Sequence, residues 1–297
     1  MDQLLVLGDC NPDLVISGGQ VAPSFGQVEQ LVDEARLVIG GSGAITACGA
    51  ARLGVGTALV SLVGDDHFGR FMLEAVAETG VDVSGCVVDG ERPTGVTVVL
   101  SRGDDRAILT APGTIAELSG EHVELDRVRG ARHVHVSSYY LQTRLQSSLP
   151  DLLAAARAAG ASTSLDTNWD PSERWDSGLS SLLPTVGHLF CNEQEAAALG
   201  GTDRLARSGT SVVVKRGPQG AALVTRGGTL EAAAPAVRTL DATGAGDSFD
   251  AGFIAGLLAG RPAEQCLRLA CACGALSTRA LGGTAAQPTL DEADGFA

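Results

Sequence analysis

The chain holds little that is aromatic and little that is basic. Phe, Trp and Tyr make up 4% of its 297 residues, and 21 Lys and Arg face 35 Asp and Glu, a formal net charge of −14. So acidic a balance argues against non-specific binding to nucleic acid or to an anionic membrane, and an anionic substrate would need a local positive site. No apolar run approaches the length of a membrane span. Residues 1–9 form a short strand-like run with no basic stretch, which reads against a secretion signal. Seven cysteines are scattered without a CxxC pair, and only one residue separates Cys271 from Cys273. Zinc spacing is therefore absent, and reduced, mostly buried thiols in a cytoplasmic protein are expected. A Walker A pattern and a GxGxxG loop are also missing, which removes those two nucleotide-binding readings.

What is present is 44% hydrophobic residues and 39 glycines. A chain of this length can bury a large core, filled here by Ala, Val, Leu and Gly. Short apolar runs alternate with helical patterns. Strands are expected at 4–7, 57–63, 134–136, 162–165 and 211–214. Helices are expected at 42–53, 68–79, 146–159, 192–199, 247–258 and 263–280. Residues 221–225 and 229–233 read as a hairpin around Gly227-Gly228. Strands alternating with helices imply βαβ units and a mainly parallel sheet. Two stretches break the rhythm. Residues 14–39 have weak helical character, and 94–110 read as two strands around the turn Gly103-Asp104-Asp105. Both are candidates for a small separate sheet. Residues 291–297 read as a frayed tail.

The strongest chemical signal is Asp241-Ala242-Thr243-Gly244-Ala245-Gly246-Asp247, which runs into an amphipathic helix. Small residues leave backbone N–H groups uncovered at a helix start. Those groups lack intrahelical partners and sit at the positive end of the dipole, so they attract phosphate oxygens. A carboxylate placed there can take a proton from an alcohol. Anion cradle and base together suit transfer of a phosphoryl group onto a hydroxyl. Gly40-Gly41-Ser42-Gly43 opens the first long helix; its bare backbone could approach a ligand, but taken alone a glycine cluster reads better as a tight strand-to-helix turn. His133 and His135 alternate with Val and share a sheet face, but without a third ligand they are not expected to bind metal.

Gly40-Gly41, followed by Gly54 and by Gly64 with Asp65-Asp66 and Phe68-Gly69, resembles the first signature of the ribokinase-like carbohydrate kinases, the PfkB family. Residues 241–247 resemble the second signature. Order and separation match, and the resemblance covers nearly the whole chain. It implies a three-layer α/β/α sandwich with a mainly parallel central sheet, forming one domain over 1–297. A small β lid would be built from parts of 14–39 and 94–110. It further implies an ATP-dependent sugar kinase, with Asp247 as general base and Gly244, Ala245 and Gly246 as the anion hole. Asp241 and Thr243 would either hold this loop or lend carbonyls to a monovalent-cation site for K+, completed near Arg279 and Gly283. Asn192-Glu193-Gln194-Glu195 resembles the family's Asn-x-x-Glu, in which Asn192 and Glu195 order water around Mg2+ and the phosphates. Lys215-Arg216-Gly217-Pro218-Gln219-Gly220 resembles its nucleotide-binding turn, placing Lys215, Gly217 and Gly220, with Thr243, at the nucleotide. Residues 270–275 would wall the adenine or simply pack two helices. On the acceptor side Asp13 matches an aspartate that binds sugar hydroxyls, and Gly40 and Gly41 would contact the sugar by backbone. Asp166-Thr167-Asn168 resembles a strand-end Asp-x-Asn with Asn168 near the phosphoryl path, and Tyr139 would line the pocket. Lid sheets of this family often pair between subunits, which implies a homodimer.

Three departures bear on the acceptor. The first signature normally carries an Asn where this chain has Ile45, with Thr46 next. Either Thr46 substitutes, or the substrate lacks a hydroxyl there, or it presents an apolar group. Trp169 and Asp170 follow the Asp-x-Asn where several sugar kinases carry Arg, which weakens the case for an already phosphorylated or carboxylated sugar. Ala242 replaces a small polar or β-branched residue, a minor change. Two other readings stand beside a sugar kinase: a nucleoside kinase of the same superfamily, and a non-catalytic sugar-sensing homologue.

Overall fold

The computed structural model describes residues 3–19, 21–102, 105–175 and 178–297. Its strands are β1 (Leu4–Leu7), β2 (Asn11–Ser17), β3 (Glu34–Gly40), β4 (Thr57–Val60), β5 (Leu62–Gly64), β6 (Val87–Asp89), β7 (Val96–Arg102), β8 (Asp105–Ala111), β9 (His133–Val136), β10 (Ser162–Asp166), β11 (His188–Asn192), β12 (Ser211–Lys215), β13 (Ala221–Thr225) and β14 (Gly228–Ala232). Its helices are α1 (Ser42–Arg52), α2 (His67–Glu78), α3 (Leu125–Gly130), α4 (Leu149–Ala158), α5 (Leu179–Leu182), α6 (Glu193–Ala198), α7 (Thr202–Ala206), α8 (Ala245–Leu258), α9 (Ala263–Ser277) and α10 (Leu290–Asp294).

Eight strands form the central sheet in the order β14-β13-β12-β11-β10-β9-β1-β4. Pairing is parallel from β4 to β12, and β13 and β14 add an antiparallel edge. Side chains alternate along a strand, so each strand feeds two cores. In β1, Leu4 and Val6 join the core under α1, α2, α8 and α9, whereas Leu5 and Leu7 join the one under α3, α4, α5, α6 and α7. This is the expected three-layer sandwich.

Small residues set the spacing of the first layer. A Cβ added to Gly252 would lie 3.0 Å from the Ala270 Cα, and one on Gly256 would lie 3.1 Å from the Cys266 Cα. Residues 270–275 therefore pack α9 closely onto α8, the helix-packing alternative for that stretch. The seven cysteines are free thiols, six of them buried. His133 pairs with Ser162 and Ser164 at 2.6 and 2.7 Å, and His135 pairs with Ser164 at 2.7 Å. They are core residues on one sheet face.

Several expectations change. Residues 14–39 hold strands rather than helix, and with β7 and β8 they make a second sheet in the order β3-β2-β7-β8. Asn11, Asp13 and Val15 alternate with Leu14 and Ile16, so one face of this sheet is turned inward and the other is half exposed. Of the turn expected between β7 and β8, Gly103 and Asp104 lie outside the described residues. The run 57–63 divides into β4, the edge strand of the central sheet, and β5, which pairs with β6 in a two-stranded sheet. Residues 291–297 do not fray throughout: Thr289 and Glu292 form a capping box for α10, and Arg261 pairs with Asp294 at 2.5 Å. Among the described residues no helix is long and apolar enough to cross a membrane.

Candidate active site

The C-terminal ends of β1, β9, β10, β11 and β12 converge where the chain leaves β1 in both directions across the sheet, the usual place for a ligand crevice in an open α/β sheet. The end of β1 shapes the acceptor side. Asp9 caps α1 from outside the helix: its carboxylate accepts from the Gly43 N–H at 2.9 Å and its carbonyl from the Ala44 N–H at 3.0 Å. This satisfies donors that Gly41, at the N-cap with φ 78°, cannot satisfy with a side chain.

The chain then enters β2, which pairs with β3 so that Asn11 faces Gly40 and Asp13 faces Val38. A Cβ on Gly40 would lie only 2.0 Å from the Asp13 carboxylate, and one on Gly41 would lie 3.0 Å from Asn11 Oδ1. These glycines leave the carboxylate and the amide bare over the backbone. The Asn11 amide donates to Thr97 at 3.2 Å. Burial, aided by Asp9 and Asp247, pushes the Asp13 carboxyl up to about 7. Asn11 was missed in the sequence because Asn-Pro reads as a turn. Its one signal was that it sits two residues before Asp13, on the same face of a strand.

The remainder of the first signature is architectural. A Cβ on Gly69 would lie 2.1 Å from the Gly64 carbonyl. Asp66 caps α2 through the Gly69 N–H at 2.8 Å and also receives the Thr94 N–H and hydroxyl, each at 2.8 Å. That ties the entry of β7 to the main body.

The phosphoryl side is built on α8. Gly244 is its N-cap in the left-handed region, with φ 70° and no side-chain cap; the Ala245 N–H turns back to the Ala242 carbonyl at 3.3 Å, and no side chain caps the N–H groups that follow. Only glycine fits there, since a Cβ would lie 2.6 Å from the Gly283 Cα. Asp241 staples the loop. Its carboxylate accepts from the Thr243 N–H at 2.9 Å, the Thr243 hydroxyl at 2.7 Å and the Gly282 N–H at 2.8 Å. Its backbone N–H, with that of Leu240, bonds the Thr278 carbonyl. The side chain of Asp241 thus serves the loop, and the segments 241–244 and 278–283 meet as expected. Arg106 of β8 reaches over from the second sheet and donates to the Thr243 hydroxyl at 3.3 Å.

Asp247 lies in the first turn of α8, half-buried. Burial, Asp166 and Asp9 raise its carboxyl to about 7, against the opposing pull of Lys215 and a hydrogen bond with Ser42. Such a group is poised near neutrality, as a general base should be. Thr46, expected as the substitute hydroxyl ligand, is fully buried and donates to the Asp247 carbonyl at 3.4 Å. Ile45 packs its side chain toward Gly283, whose Cβ would meet it at 2.5 Å, so it seals the loop of α8.

Lys215 ends β12. Expected at the nucleotide, it turns inward, with its ammonium 2.5 Å from Asp166 and 3.1 Å from Asp250. Two carboxylates near the floor of the crevice outcompete solvent for it. The turn after β12 keeps Gly217 and Gly220 at positive φ, and a Cβ on Gly220 would strike the Ala232 carbonyl at 1.9 Å. Asn168 has φ 52° and is held by its N–H on Asp166 at 2.7 Å and its amide on Ser138 at 3.2 Å. Asp170 closes the following loop on Ser172 and Trp175, the work of a turn residue. Tyr139 belongs to the second core, edge-on to Tyr140 at 5.2 Å.

Asn192 and Glu195 form a reciprocal cap on α6. The Glu195 carboxylate accepts from the Asn192 N–H at 2.8 Å, the Asn192 amide at 2.7 Å and Thr167 at 3.1 Å. Three donors use most of its acceptor capacity, which suits contact with a metal's water shell better than direct ligation. Among the described residues no cluster of three His, Cys, Asp or Glu is arranged to hold a metal.

A helix terminus without a side-chain cap beside a near-neutral carboxylate, facing an Asn-Asp pair over two glycines, has the chemistry that phosphoryl transfer to an alcohol needs. The chain belongs to the pfkB family of carbohydrate kinases, matching it over residues 1–290. It is 31% identical to an ATP-dependent ribose-1-phosphate kinase of Halopiger xanaduensis, covering 100% of this chain and 98% of that one. It is 32% identical to a fructokinase of Klebsiella pneumoniae, covering 98% and 97%. The structure superposes on Arabidopsis thaliana ribokinase complexed with ribose and ATP with a TM-score of 0.82 at 25% identity, covering 100% and 99%. An E. coli protein described as ribokinase II, in complex with ATP and Mg2+, gives 0.87 at 25% identity with the same coverage.

Proposed function

We propose that this kinase transfers the γ-phosphate of ATP to a hydroxyl of a small sugar or sugar derivative held by Asn11, Asp13, Gly40 and Gly41. The observation that carries this reading is the placement of Asp247 in the uncapped first turn of α8, close enough to Asp13 to raise its carboxyl. Asp247 takes the hydroxyl proton as the oxygen attacks the γ-phosphorus, and the bridging oxygen leaves with ADP. The N–H groups of Gly244, Ala245 and Gly246 meet the charge spread over the transferred phosphoryl oxygens. Asn168 lines the path, and Gly217, Gly220 and Thr243 border the nucleotide. Asn192 and Glu195 would hold the water shell of Mg2+, which offsets phosphate charge when bound. The carbonyls of 241–243 and of the segment near Arg279 and Gly283 are donors of the kind K+ takes.

The second sheet is proposed to act as the lid, excluding water that would compete as phosphoryl acceptor. Its outward face carries two apolar cross-strand rows, Leu37-Leu14-Val98-Leu109 and Ala35-Ile16-Leu100-Ala107. Leu37 and Leu109 are 40% and 60% exposed. A second copy of the chain would cover such a face.

The acceptor is tested by an ADP-release assay over ribose, fructose, ribose 1-phosphate and nucleosides. Turnover with a sugar or sugar phosphate supports the proposal. Turnover with nucleosides alone contradicts it, and tight binding of a sugar without any turnover favours a sensor.

A further inference from the structure

Two carboxylates and one ammonium meet below the anion hole, and the chemistry above does not account for them. Lys215 at the end of β12 holds Asp166 at the end of β10 and Asp250 on α8. Asp250 is completely buried, and its carboxyl contacts Asp166 as well as the Lys215 ammonium. It lies three residues after Asp247, on the same side of α8. The remaining oxygen of Asp166 accepts from the Asn168 N–H at 2.7 Å. A Cβ built on Gly246 would lie 3.3 Å from the Lys215 ammonium, so this charge sits directly against the anion-hole backbone.

We propose that Lys215 is a positioning residue for phosphoryl transfer: it ties the end of β10, which presents Asn168, to the first turns of α8, which present Asp247, and it supplies fixed positive charge beneath Gly246. It does this through Asp166 and Asp250 and not as a nucleotide ligand. The inference rests on Asp247 being the base.

The charges around Asp247 make the case electrostatic as well as geometric. Asp9 after β1, Asp13 on β2, Asp166 on β10 and Asp250 on α8 are all acidic, and Ser42 of α1 offers a hydrogen bond. Lys215 is the basic group among those that act most strongly on Asp247. Without it, Asp166 and Asp9 would oppose ionisation of the base with no cation to offset them, and Asp250 would lose its paired cation.

The test is the pH profile of kcat/KM in Lys215→Arg, Lys215→Met and Lys215→Met/Asp250→Asn. The double variant keeps the fold testable, because it removes one cation and one carboxylate together. The acid limb is expected to rise by about one to two units in the two Met-bearing proteins and to stay in place in Lys215→Arg. At pH 7 kcat should fall at least about tenfold with the KM for ATP within about twofold, recovering as pH is raised. An unmoved acid limb in the double variant overturns the inference. So does a tenfold rise in the KM for ATP with kcat intact, which would return Lys215 to the nucleotide. Failure of the underlying reading looks different: Asp247→Asn would then retain turnover, whatever the Lys215 variants do.

Discussion

Asp13 shows at the scale of one residue how function opposes stability. Its folded carboxyl titrates near 7 because it is buried among other acids, whereas an unfolded carboxyl titrates near 3.8. The folded form therefore keeps a proton that the unfolded chain has given up, and stability declines as pH rises from about 4 to about 7, with no recovery above. Asp13→Asn should raise the unfolding free energy at pH 8 by about 1–3 kcal/mol and leave it nearly unchanged at pH 4. The same variant should lose acceptor affinity. Thermal melts at the two pH values decide it, and equal shifts at both would sink the electrostatic explanation. Only part of this was legible in the sequence. Asp13 matched a motif, but Asn11 hid behind the Pro that follows it. The inward turns of Lys215 and Thr46 depend on partners 49, 35 and 201 residues away, which no local pattern encodes.

Elements were legible where their periodicity was strong. Helix α8 was read to within two residues, because a run of small residues ends where a run of buried ones begins. Strands β2 and β3 were not, since the half-buried Glu34 and the exposed Arg36 on a two-sided sheet dilute the alternation of apolar side chains. The tail helix α10 was missed because a five-residue helix has almost no period, and its stability comes from the Thr289 cap and the Arg261–Asp294 pair. The second sheet carries the prediction at this scale. Its two apolar rows should hold a dimer in solution, and Leu37→Glu with Leu109→Glu should convert it to monomer, as read by sedimentation velocity. A wild-type protein that sediments as a monomer at micromolar concentration contradicts the pairing.

For the whole molecule, the sheet does the aiming. Parallel strands deliver Asp9, Ser138, Asp166, Asn192 and Lys215 to one edge, and the two helices with bare or borrowed caps, α1 and α8, start there. The fold and the reaction class were readable from two spaced signatures. The acceptor was not, because its pocket joins the first strands of the chain to a second sheet whose placement only the structure supplies. The central claim is that Asp247 removes the proton from the attacking hydroxyl. It is tested most directly by single-turnover rates of Asp247→Asn together with calorimetric ATP binding. The account predicts a loss of about 10²–10⁴-fold in rate with ATP affinity within about twofold of wild type. Near-wild-type turnover in that variant would contradict it.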